Sequence, residues 1–403
     1  MNITDSSALR ACTSCQMCGA VCPKGSISFR FDKDGFYRPS VDESCIDCGL
    51  CVSVCYKFDK GILPTTDSDL SNSPLYAASS KDDALVAQTT SGGIADLIAR
   101  QLIREGYRCV GVAYDDAADR AEHRIATTEE ETRDFRGSKY IQSYTMGAFR
   151  EMVKSVRTEK FAVFGTPCQI YAVGCYLSRR NLRDRCVLVD LYCHGCPSMW
   201  AWRKYAKELK AELGQPHFDR VEFRSKAKGW GNFYIIKAYV DGKPVFVSSP
   251  KRDEFYALFF SDQVLNSACD DCALRSTLAY TDIRLGDFWG KTYAANVRGI
   301  SAVSLATERG RQVFDALRPQ LSVCSEHPYS DFLPYQSWGR EYHPNKEVRK
   351  AMLEALDDEN RPVRDAVRIL YRSQGLKAKA KRYAKQVAYY LPIDVVMWVK
   401  RFM

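Results

Sequence analysis

The stretches "CTSCQMCGAVCP" (residues 12–23) and "CIDCGLCVSVCYK" (residues 45–57) repeat one spacing, Cys-x2-Cys-x2-Cys-x3-Cys. This spacing is typical of bacterial proteins that hold two [4Fe–4S] clusters, in which the fourth cysteine of each run ligates the cluster of the other run. The sequence therefore predicts two clusters, with the ligand sets Cys12, Cys15, Cys18, Cys55 and Cys45, Cys48, Cys51, Cys22.

Two neighbouring features qualify this prediction. Zinc is the alternative metal, because paired Cys-x2-Cys units also bind zinc, but two identical four-cysteine runs favour iron–sulfur clusters. Tyr56 follows Cys55 where the pattern usually has proline, which removes no ligand but would alter the local turn or the cluster potential. Between the runs, Asp34-Gly35 predicts a β-hairpin turn.

Length and composition limit the interpretation of the rest of the chain. A chain of 403 residues predicts two or three domains. Seventeen cysteines in a long chain indicate metal or redox chemistry, since disulfide scaffolds are usually short and secreted. The sequence shows neither a secretory signal nor an apolar run of about 18 residues, so we expect a cytoplasmic protein. The net charge of +9 is concentrated near the C-terminus, so the body offers no electrostatic case for nucleic-acid binding.

Strand and helix patterns alternate after the cysteine runs. Apolar residues at helical spacing from Ile94 to Ile103, the strand-like "CVGVAY" (109–114) and a hairpin turn at Asp241-Gly242 predict a mixed α+β (mixed α/β) fold. No Gly-x-Gly-x-x-Gly follows a strand. The predicted units are a two-cluster domain (1–60), a surface linker (61–82), two lobes of a mixed-sheet flavin/iron–sulfur domain (83–160 and 161–345) and a basic helical tail (346–403).

Further cysteines follow or border predicted strands. Cys168 lies in "GTPCQ", Cys193 in "LYCHGCP", and Cys269 with Cys272 in "CDDC". Four such thiolates would hold a third [4Fe–4S] cluster, the alternative being that some are buried apolar residues. Cys196 competes with Cys193 for one ligand position.

One loop before a helix suits a phosphate group. The hydroxyls, free N–H groups and glycines of "TTSGG" (89–93) fit a phosphate or pyrophosphate. Taken alone, however, the loop favours an ordinary Ser/Thr helix N-cap.

Seven motifs in order, from about residue 83 to about residue 305, resemble those of one family: "TSGG", "GSKYIQS", "FGTPCQI", "LYCHG", "VEFRSKAKGWG", "CDDC" and "DIRLGDFWG". Together they resemble the family of coenzyme F420 hydrogenase/dehydrogenase beta subunits, in which an N-terminal ferredoxin domain is a common fusion. The resemblance implies FAD, a further [4Fe–4S] cluster, and electron exchange with the deazaflavin F420 or another acceptor. Members also include a chlorophyll-derivative reductase and bacterial proteins encoded among polysaccharide-synthesis functions.

The resemblance also implies roles for individual residues. Those near FAD would be Thr90, Ser91, Gly92, Gly93, Gly137, Ser138, Lys139 and Tyr140. Those that ligate the inner cluster would be Cys168, Cys193, Cys269 and Cys272. Arg224, Lys226 and Trp230 would line the flavin or substrate wall, and Asp287 would close the site. His194 is the candidate proton donor, or else a hydrogen-bonding neighbour of the cluster, and Lys226 is the second candidate catalytic residue.

The expected function is an iron–sulfur flavoprotein oxidoreductase. Electrons would pass between a redox donor protein or reduced cofactor and a small-molecule acceptor at FAD, in a direction that the sequence leaves open. The acceptor would be F420 or another small or polysaccharide-pathway compound. The alternative is a non-catalytic electron-transfer subunit, and a third interpretation is a regulatory protein with clusters but no flavin.

The C-terminal segment has a distinct composition. Residues 371–403 hold eight basic residues and one acidic residue, with an apolar end interrupted by Pro392. Such a segment would lie on an anionic membrane surface, peripheral to its inner face, or dock on an acidic partner. The alternative is a terminal helix packed on the body with a solvated basic face.

Overall fold

The computed structural model describes residues 1–231, 233–250, 253–392 and 395–396. It confirms the predicted mixed α/β class, with a small ferredoxin-like region in front of a domain built on a nine-stranded mixed sheet. The strands are β1 Ile27–Phe31, β2 Tyr37–Val41, β3 Leu75–Ser80, β4 Tyr107–Asp115, β5 Arg120–Ala126, β6 Ser143–Tyr144, β7 Lys160–Phe164, β8 Cys186–Leu191, β9 Arg220–Glu222, β10 Lys237–Val240, β11 Lys243–Val247, β12 Ile283–Asp287, β13 Ser301–Leu305 and β14 Leu321–His327.

The helices lie mostly between these strands. They are α1 Met17–Ala20, α2 Leu50–Ser53, α3 Asp67–Ser71, α4 Asp83–Gln88, α5 Ile94–Arg104, α6 Met146–Ser155, α7 Pro167–Arg179, α8 Met199–Leu213, α9 Glu254–Phe259, α10 Glu308–Asp315, α11 Lys346–Asp357, α12 Val363–Ser373 and α13 Leu376–Tyr389. Short 3₁₀ turns join several of them.

The ferredoxin-like region is a hairpin flanked by two one-turn helices. β1 and β2 pair antiparallel from Ile27–Val41 to Phe31–Tyr37, so the predicted hairpin is present. Gly35 has φ of 78°, a left-handed conformation that glycine adopts without steric cost. α1 carries Cys18 and α2 carries Cys51, which places one cysteine of each run on a short helix.

The large sheet has the order β14-β3-β13-β12-β8-β7-β4-β5-β6. Its four central strands, β12, β8, β7 and β4, are mutually parallel, and the flanking pairs are mostly antiparallel. Loops that follow neighbouring parallel strands emerge at the same edge of a sheet, which is where open α/β sheets bind ligands. The architecture therefore concentrates the loops after β7, β8 and β12 at one edge.

The structure differs from two of the predicted boundaries. Residues 75–80, placed by the sequence in a surface linker, form β3, a mostly buried strand between β13 and β14. The Ser- and Asp-rich composition of the segment concealed this strand, whose small residues Ala77 and Ala78 are fully buried in the sheet. Strands from both predicted lobes belong to the one large sheet. The predicted lobe boundary at residue 160 therefore does not separate two structural units.

A second core lies beside the large sheet. The three-stranded sheet β11-β10-β9 contains the predicted hairpin at Asp241-Gly242. Helices α8, α9, α11 and α12 pack around a buried aromatic group that includes Trp202 and Phe255. Among the residues that the structure describes, no helix is long and apolar enough to cross a membrane. The end of the predicted tail, including Lys400 and Arg401, lies outside the described residues.

Candidate redox site

The thiols predicted to hold the second ferredoxin cluster line one cavity. Cys22, Cys45, Cys48 and Cys51 line a shallow pocket that opens to solvent beside Ile46. Cys48 is exposed, whereas Cys51 is buried. Of the two ferredoxin thiol sets, this one lies toward solvent.

The other ferredoxin set is buried. Burial, with repulsion from Cys55 and Cys12, raises the pKa of Cys15 to about 12. Burial likewise raises the pKa of Cys18, and the next causes are repulsion from Cys15, Cys12 and Cys55. The four predicted ligands thus lie near one another, and bound iron would be needed to keep such thiols deprotonated at neutral pH.

The inner thiols meet at the sheet edge where the loops after β7 and β8 emerge. Cys168 lies in the first turn of α7, after β7, and Cys193 follows β8. Burial raises the pKa of both thiols to about 12, and repulsion between them adds to the pKa of Cys193. Burial also raises the pKa of Cys269, where the next contributions come from Cys196, Cys193 and Cys272. Five thiols therefore converge here, and the structure keeps both Cys193 and Cys196 among them.

Two arginines lie beside this thiol group. Arg275 donates to the Cys269 carbonyl at 2.5 Å and to the His194 carbonyl at 3.2 Å. Arg284 is buried in a two-bond ion pair with Asp190 of β8, and both arginines lower the pKa of Cys193 against the effect of burial. A cluster held by thiolates carries negative charge, so this environment fits the predicted inner [4Fe–4S] cluster. Within the described ranges, no three His, Cys, Asp or Glu side chains are grouped to hold a single metal ion.

The buried ferredoxin set faces the inner thiols. The Thr13 side chain lies beside the thiols of both Cys15 and Cys168, and the charge of Cys15 raises the pKa of Cys168. The Tyr56 hydroxyl accepts a 3.0 Å hydrogen bond from the backbone N–H of Ala273, next to Cys272. The two thiol sets are therefore held against each other by direct contacts.

A second pair of contacts fixes the same junction. Arg38 of β2 donates to the carbonyl of Cys12 and reaches the Asn266 side chain. The Asn266 backbone N–H donates in turn to the carbonyl of Cys196 at 2.8 Å. Arg38 thus joins a ferredoxin loop to the loop of the inner thiols.

The predicted flavin residues lie along one chain of contacts. The backbone N–H of Ser138 donates to the Thr90 hydroxyl at 2.8 Å. Lys226 donates to the Ser91 carbonyl at 2.7 Å and to the Val86 carbonyl at 2.6 Å. Burial lowers the pKa of Lys226 to about 8. In this structure Lys226 therefore links the "TTSGG" loop to α4 through these two hydrogen bonds.

Gly92 and Gly93 have different structural roles in that loop. A Cβ on Gly92 would lie 2.3 Å from the carbonyl oxygen of Ala78, so the loop passes directly over β3. Gly93 precedes α5 with φ of 83°. Close packing against β3 thus requires glycine at position 92 whether or not a ligand binds. The sequence did not predict this packing role.

Arg224 is the centre of the remaining predicted residues. Its Nη1 donates to Asp287 at 3.2 Å and to the Tyr140 hydroxyl at 3.4 Å. Trp230 donates to the other carboxylate oxygen of Asp287 at 2.8 Å. Asp287 ends β12, so the ion pair lies at the same sheet edge as the inner thiols.

Two buried polar atoms in this group fit a bound cofactor. Among the described residues, Nη2 of Arg224 and the Ser91 hydroxyl have no hydrogen-bond partner. A buried polar group without a partner costs about 1–3 kcal/mol, so such atoms usually meet a ligand or water. A guanidinium N–H and a hydroxyl suit the phosphates or carbonyls of a flavin nucleotide. These residues therefore fit FAD.

The other predicted residues have partners within their own loops. Lys139 donates to the carbonyls of Asp134 and Arg136, each at 3.0 Å, and burial lowers its pKa to about 7. Gly137, also in this loop, has φ of 77°.

Both ring nitrogens of His194 are occupied by neighbouring side chains. Nε2 lies 2.8 Å from an Asp262 carboxylate oxygen, and Nδ1 lies 3.1 Å from the Tyr342 hydroxyl and 3.2 Å from Ser337. The predicted proton donor, His194, therefore has hydrogen-bond partners at both ring nitrogens. This arrangement suits a residue that positions the Cys193 loop.

Several residues of this site were not predicted from the sequence. Trp289 stacks on Trp230 with centroids 4.8 Å apart, and Arg224 lies over both Trp289 and Tyr234. Trp289 was visible within "DIRLGDFWG", but its partner is 59 residues away. Thr13 had no signal, because its role depends on a contact with Cys168 across the domain junction.

Comparisons with known proteins agree with the motifs. Residues 75–150 match the N-terminal model of the coenzyme F420 hydrogenase/dehydrogenase beta subunit, and residues 158–328 match its C-terminal model. Residues 11–58 match the 4Fe-4S dicluster domain, which supports the two predicted ferredoxin clusters.

Two curated relatives are similar to part of this chain. A component of the F(420)H(2) dehydrogenase of Methanosarcina mazei is 25% identical over 328 residues, which cover 78% of this chain and 84% of the relative. An uncharacterized protein of Methanocaldococcus jannaschii is 26% identical over 195 residues, 42% of this chain and 54% of that protein. A chain of the F420-reducing [NiFe] hydrogenase complex from Methanosarcina barkeri matches at 17% identity with a TM-score of 0.45, covering 78% of this chain and 93% of that chain.

Proposed function

The chain belongs to the family of coenzyme F420 hydrogenase/dehydrogenase beta subunits with an N-terminal dicluster domain, and we propose that it is an iron–sulfur flavoprotein oxidoreductase. Family membership makes it an electron-transferring oxidoreductase component. The proposal adds that FAD and a third [4Fe–4S] cluster bind at the sheet edge, and that a small hydride donor or acceptor reacts there.

One observation carries the proposal. The buried, unpartnered Nη2 of Arg224 lies at the same sheet edge as the five inner thiols, since Asp287 ends β12 and Cys193 follows the adjacent β8. A carrier that used only its two ferredoxin clusters would need neither the unpartnered guanidinium of Arg224 nor the five inner thiols. When bound, the clusters would supply one-electron steps and the flavin would supply hydride exchange.

The chain's own residues would bind and orient these groups. Arg224 and the Ser91 hydroxyl would donate to FAD, while Asp287 holds the guanidinium in place. The stacked Trp230 and Trp289 would form an apolar wall that excludes water. Cys168, Cys193, Cys269 and Cys272 would ligate the inner cluster, with Cys196 as the competitor for the place of Cys193.

The substrate is proposed from the relative of Methanosarcina mazei, whose name specifies F(420)H(2). We propose F420 or a similar deazaflavin as hydride donor or acceptor, with another small compound as the alternative. The same relative is named as one component of a dehydrogenase, so we propose that this chain also works beside a redox partner in a larger assembly. The exposed Cys48 would make the outer cluster accessible to that partner.

The second candidate function is a non-catalytic electron-transfer subunit. It is favoured by the partners of His194 and Lys226, because both candidate catalytic side chains already make hydrogen bonds within the protein. In this case the chain would bind its clusters, and the hydride chemistry would take place on another protein.

The deciding experiment is anaerobic purification of the full chain with iron, sulfide and flavin measured on one sample. The proposal predicts about twelve irons, from three four-iron clusters, and one FAD per chain. It also predicts that the purified chain alone exchanges electrons between reduced F420 and an artificial acceptor such as methyl viologen.

The outcomes separate the candidates. About eight irons without flavin would reject the catalytic proposal and leave a two-cluster carrier. A full cofactor content without turnover of F420 would retain the flavoprotein and reject this substrate. Full content with no small acceptor reduced would favour the electron-transfer subunit.

A further inference from the structure

Helix α13 (Leu376–Tyr389) carries an apolar stripe on its solvent side. Leu376 is 84% exposed and Tyr383 is 70% exposed, and Val387 is exposed one turn further on. With 3.6 residues per turn, Leu376, Ala380, Tyr383, Ala384 and Val387 fall within an arc of about 100°. Isolated exposed apolar residues are ordinary, but a continuous stripe along about three turns marks a contact surface.

Basic residues flank this stripe on both sides. Lys377 lies at one margin and Lys379 at the other, and Lys381 and Lys385 extend the basic flank. The helix contains no acidic residue. An apolar arc bordered by lysines is the composition of helices that lie in the plane of a membrane interface.

The opposite face of α13 holds the helix to the body. Arg382 lies over the Tyr371 ring at 3.7 Å and donates to Gln374 at 2.9 Å. The Tyr389 hydroxyl donates to the Ser248 carbonyl at 3.4 Å, and its ring contacts Phe233. Packing on the body therefore uses Arg382 and Tyr389, and it leaves the apolar stripe facing outward.

These contacts distinguish a helix that binds a membrane surface or a partner from a helix that only packs on the body. A terminal helix with only a packing role would turn its apolar face inward and its lysines outward. Here the body-facing side includes an arginine, and the outward side is apolar at its centre. The described part of the chain has no spanning helix, so any membrane contact through this helix would be at the surface.

We propose that α13 is an interfacial helix that docks the protein on an anionic lipid bilayer. Leu376, Tyr383 and Val387 would enter the boundary between headgroups and acyl chains, and the flanking lysines would contact anionic headgroups. We favour a lipid surface over an acidic protein as the binding partner of this helix, because the centre of its exposed face is apolar. A surface that binds an acidic protein would be mainly basic.

The test uses the full chain, purified anaerobically, and vesicles of phosphatidylcholine alone or of equal parts phosphatidylcholine and phosphatidylglycerol. We expect sedimentation with the anionic vesicles, little with the neutral ones, and weaker binding at high salt. Leu376→Asp should weaken binding about tenfold, since it removes apolar contact and adds a repelled charge.

Matched controls separate this helix from the rest of the surface. Leu63, in the segment before α3, is 75% exposed, so Leu63→Asp makes the same change at a similar exposure outside α13. Lys377→Gln in α13 should weaken binding more than Lys60→Gln, which alters an exposed lysine of the ferredoxin region. Circular dichroism of each variant checks that the helix content is retained.

Three outcomes would overturn the proposal. The chain would fail to bind anionic vesicles, or Leu376→Asp and Leu63→Asp would bind equally. Alternatively, the chain would bind soluble polyglutamate but neither kind of vesicle, which would indicate an acidic partner instead.

Discussion

The hydroxyl of Tyr56 accepts a hydrogen bond of 3.0 Å from the backbone N–H of Ala273, 217 residues further along the chain. Tyr56 occupies the position after Cys55 where such cysteine runs usually have proline, and its side chain is buried. Ala273 directly follows Cys272 of the inner thiol group. The residue that departs from the pattern is therefore one of those that join the ferredoxin region to the candidate inner cluster.

Replacing Tyr56 with Phe should disturb this junction without removing a cluster ligand. The partly buried N–H of Ala273 would lose its partner, at a cost of about 0.5–1.5 kcal/mol in the free energy of unfolding. Iron content should stay unchanged, while the magnetic coupling between neighbouring reduced clusters, measured by electron paramagnetic resonance, should change.

Tyr176→Phe is the matched control for this variant. The Tyr176 hydroxyl donates to the Val153 carbonyl at 3.3 Å, and both residues lie outside the ferredoxin region. It should alter stability only slightly and leave the spectra unchanged. Identical spectra for Tyr56→Phe and the native protein would contradict the role of the junction.

The competing thiols Cys193 and Cys196 can be separated by single substitutions. We expect Cys193→Ser to lower the iron content from about twelve to about eight per chain, and Cys196→Ser to leave it unchanged. Cys109→Ser is the control, since this thiol is fully buried behind α5 and donates to the Ala99 carbonyl. Iron loss only in Cys196→Ser would assign the ligand position to Cys196.

Arg224→Gln should weaken flavin binding while both ferredoxin clusters remain. The variant removes the ion pair with Asp287 and the unpartnered Nη2, and a hydrogen bond to a charged group contributes about 1.5–3 kcal/mol. Fluorescence titration of FAD should therefore show binding weaker by one to two orders of magnitude.

Arg318→Gln is the corresponding control at a surface ion pair with Asp315. It should leave the affinity for FAD unchanged. Equal flavin affinity in Arg224→Gln and the native protein would contradict the placement of FAD beside Arg224.

Asp253 makes the stability of the protein dependent on pH. Burial raises the pKa of this carboxyl from its ordinary value of 3.8 to about 7, although the charge of Lys385 in α13 opposes the effect. A raised carboxyl pKa means that the folded state holds its proton more tightly, so stability declines as pH rises from about 4 to about 7.

Asp253→Asn removes this dependence and keeps the side-chain oxygen that caps α9 through Tyr256. The melting temperature of the variant should exceed that of the native protein above about pH 7, and the difference should shrink as the pH falls toward 4. Asp82→Asn, which alters the N-cap of α4 at an exposed position, is the control. A difference that stays constant with pH would contradict the prediction.

The cysteine spacing and the Asp-Gly turns were sufficient to predict local structure. Ligand spacing in the two runs follows from how a short peptide wraps a cluster, and the comparisons support the two clusters. The hairpins at Gly35 and Asp241-Gly242 follow from turn chemistry within a few residues. The order of motifs likewise led to the family that the matched models show.

Only the tertiary structure decided which of these segments meet. It placed β3 inside the large sheet and brought Thr13 to Cys168, Tyr56 to Ala273 and Arg224 to Asp287. Such contacts join residues tens to hundreds of positions apart, and they depend on strand order and on packing across the whole core. Spacing and turn chemistry act over a few residues, so the sequence by itself determined the ligand runs and the turns, while the fold decided how the redox site is assembled from them.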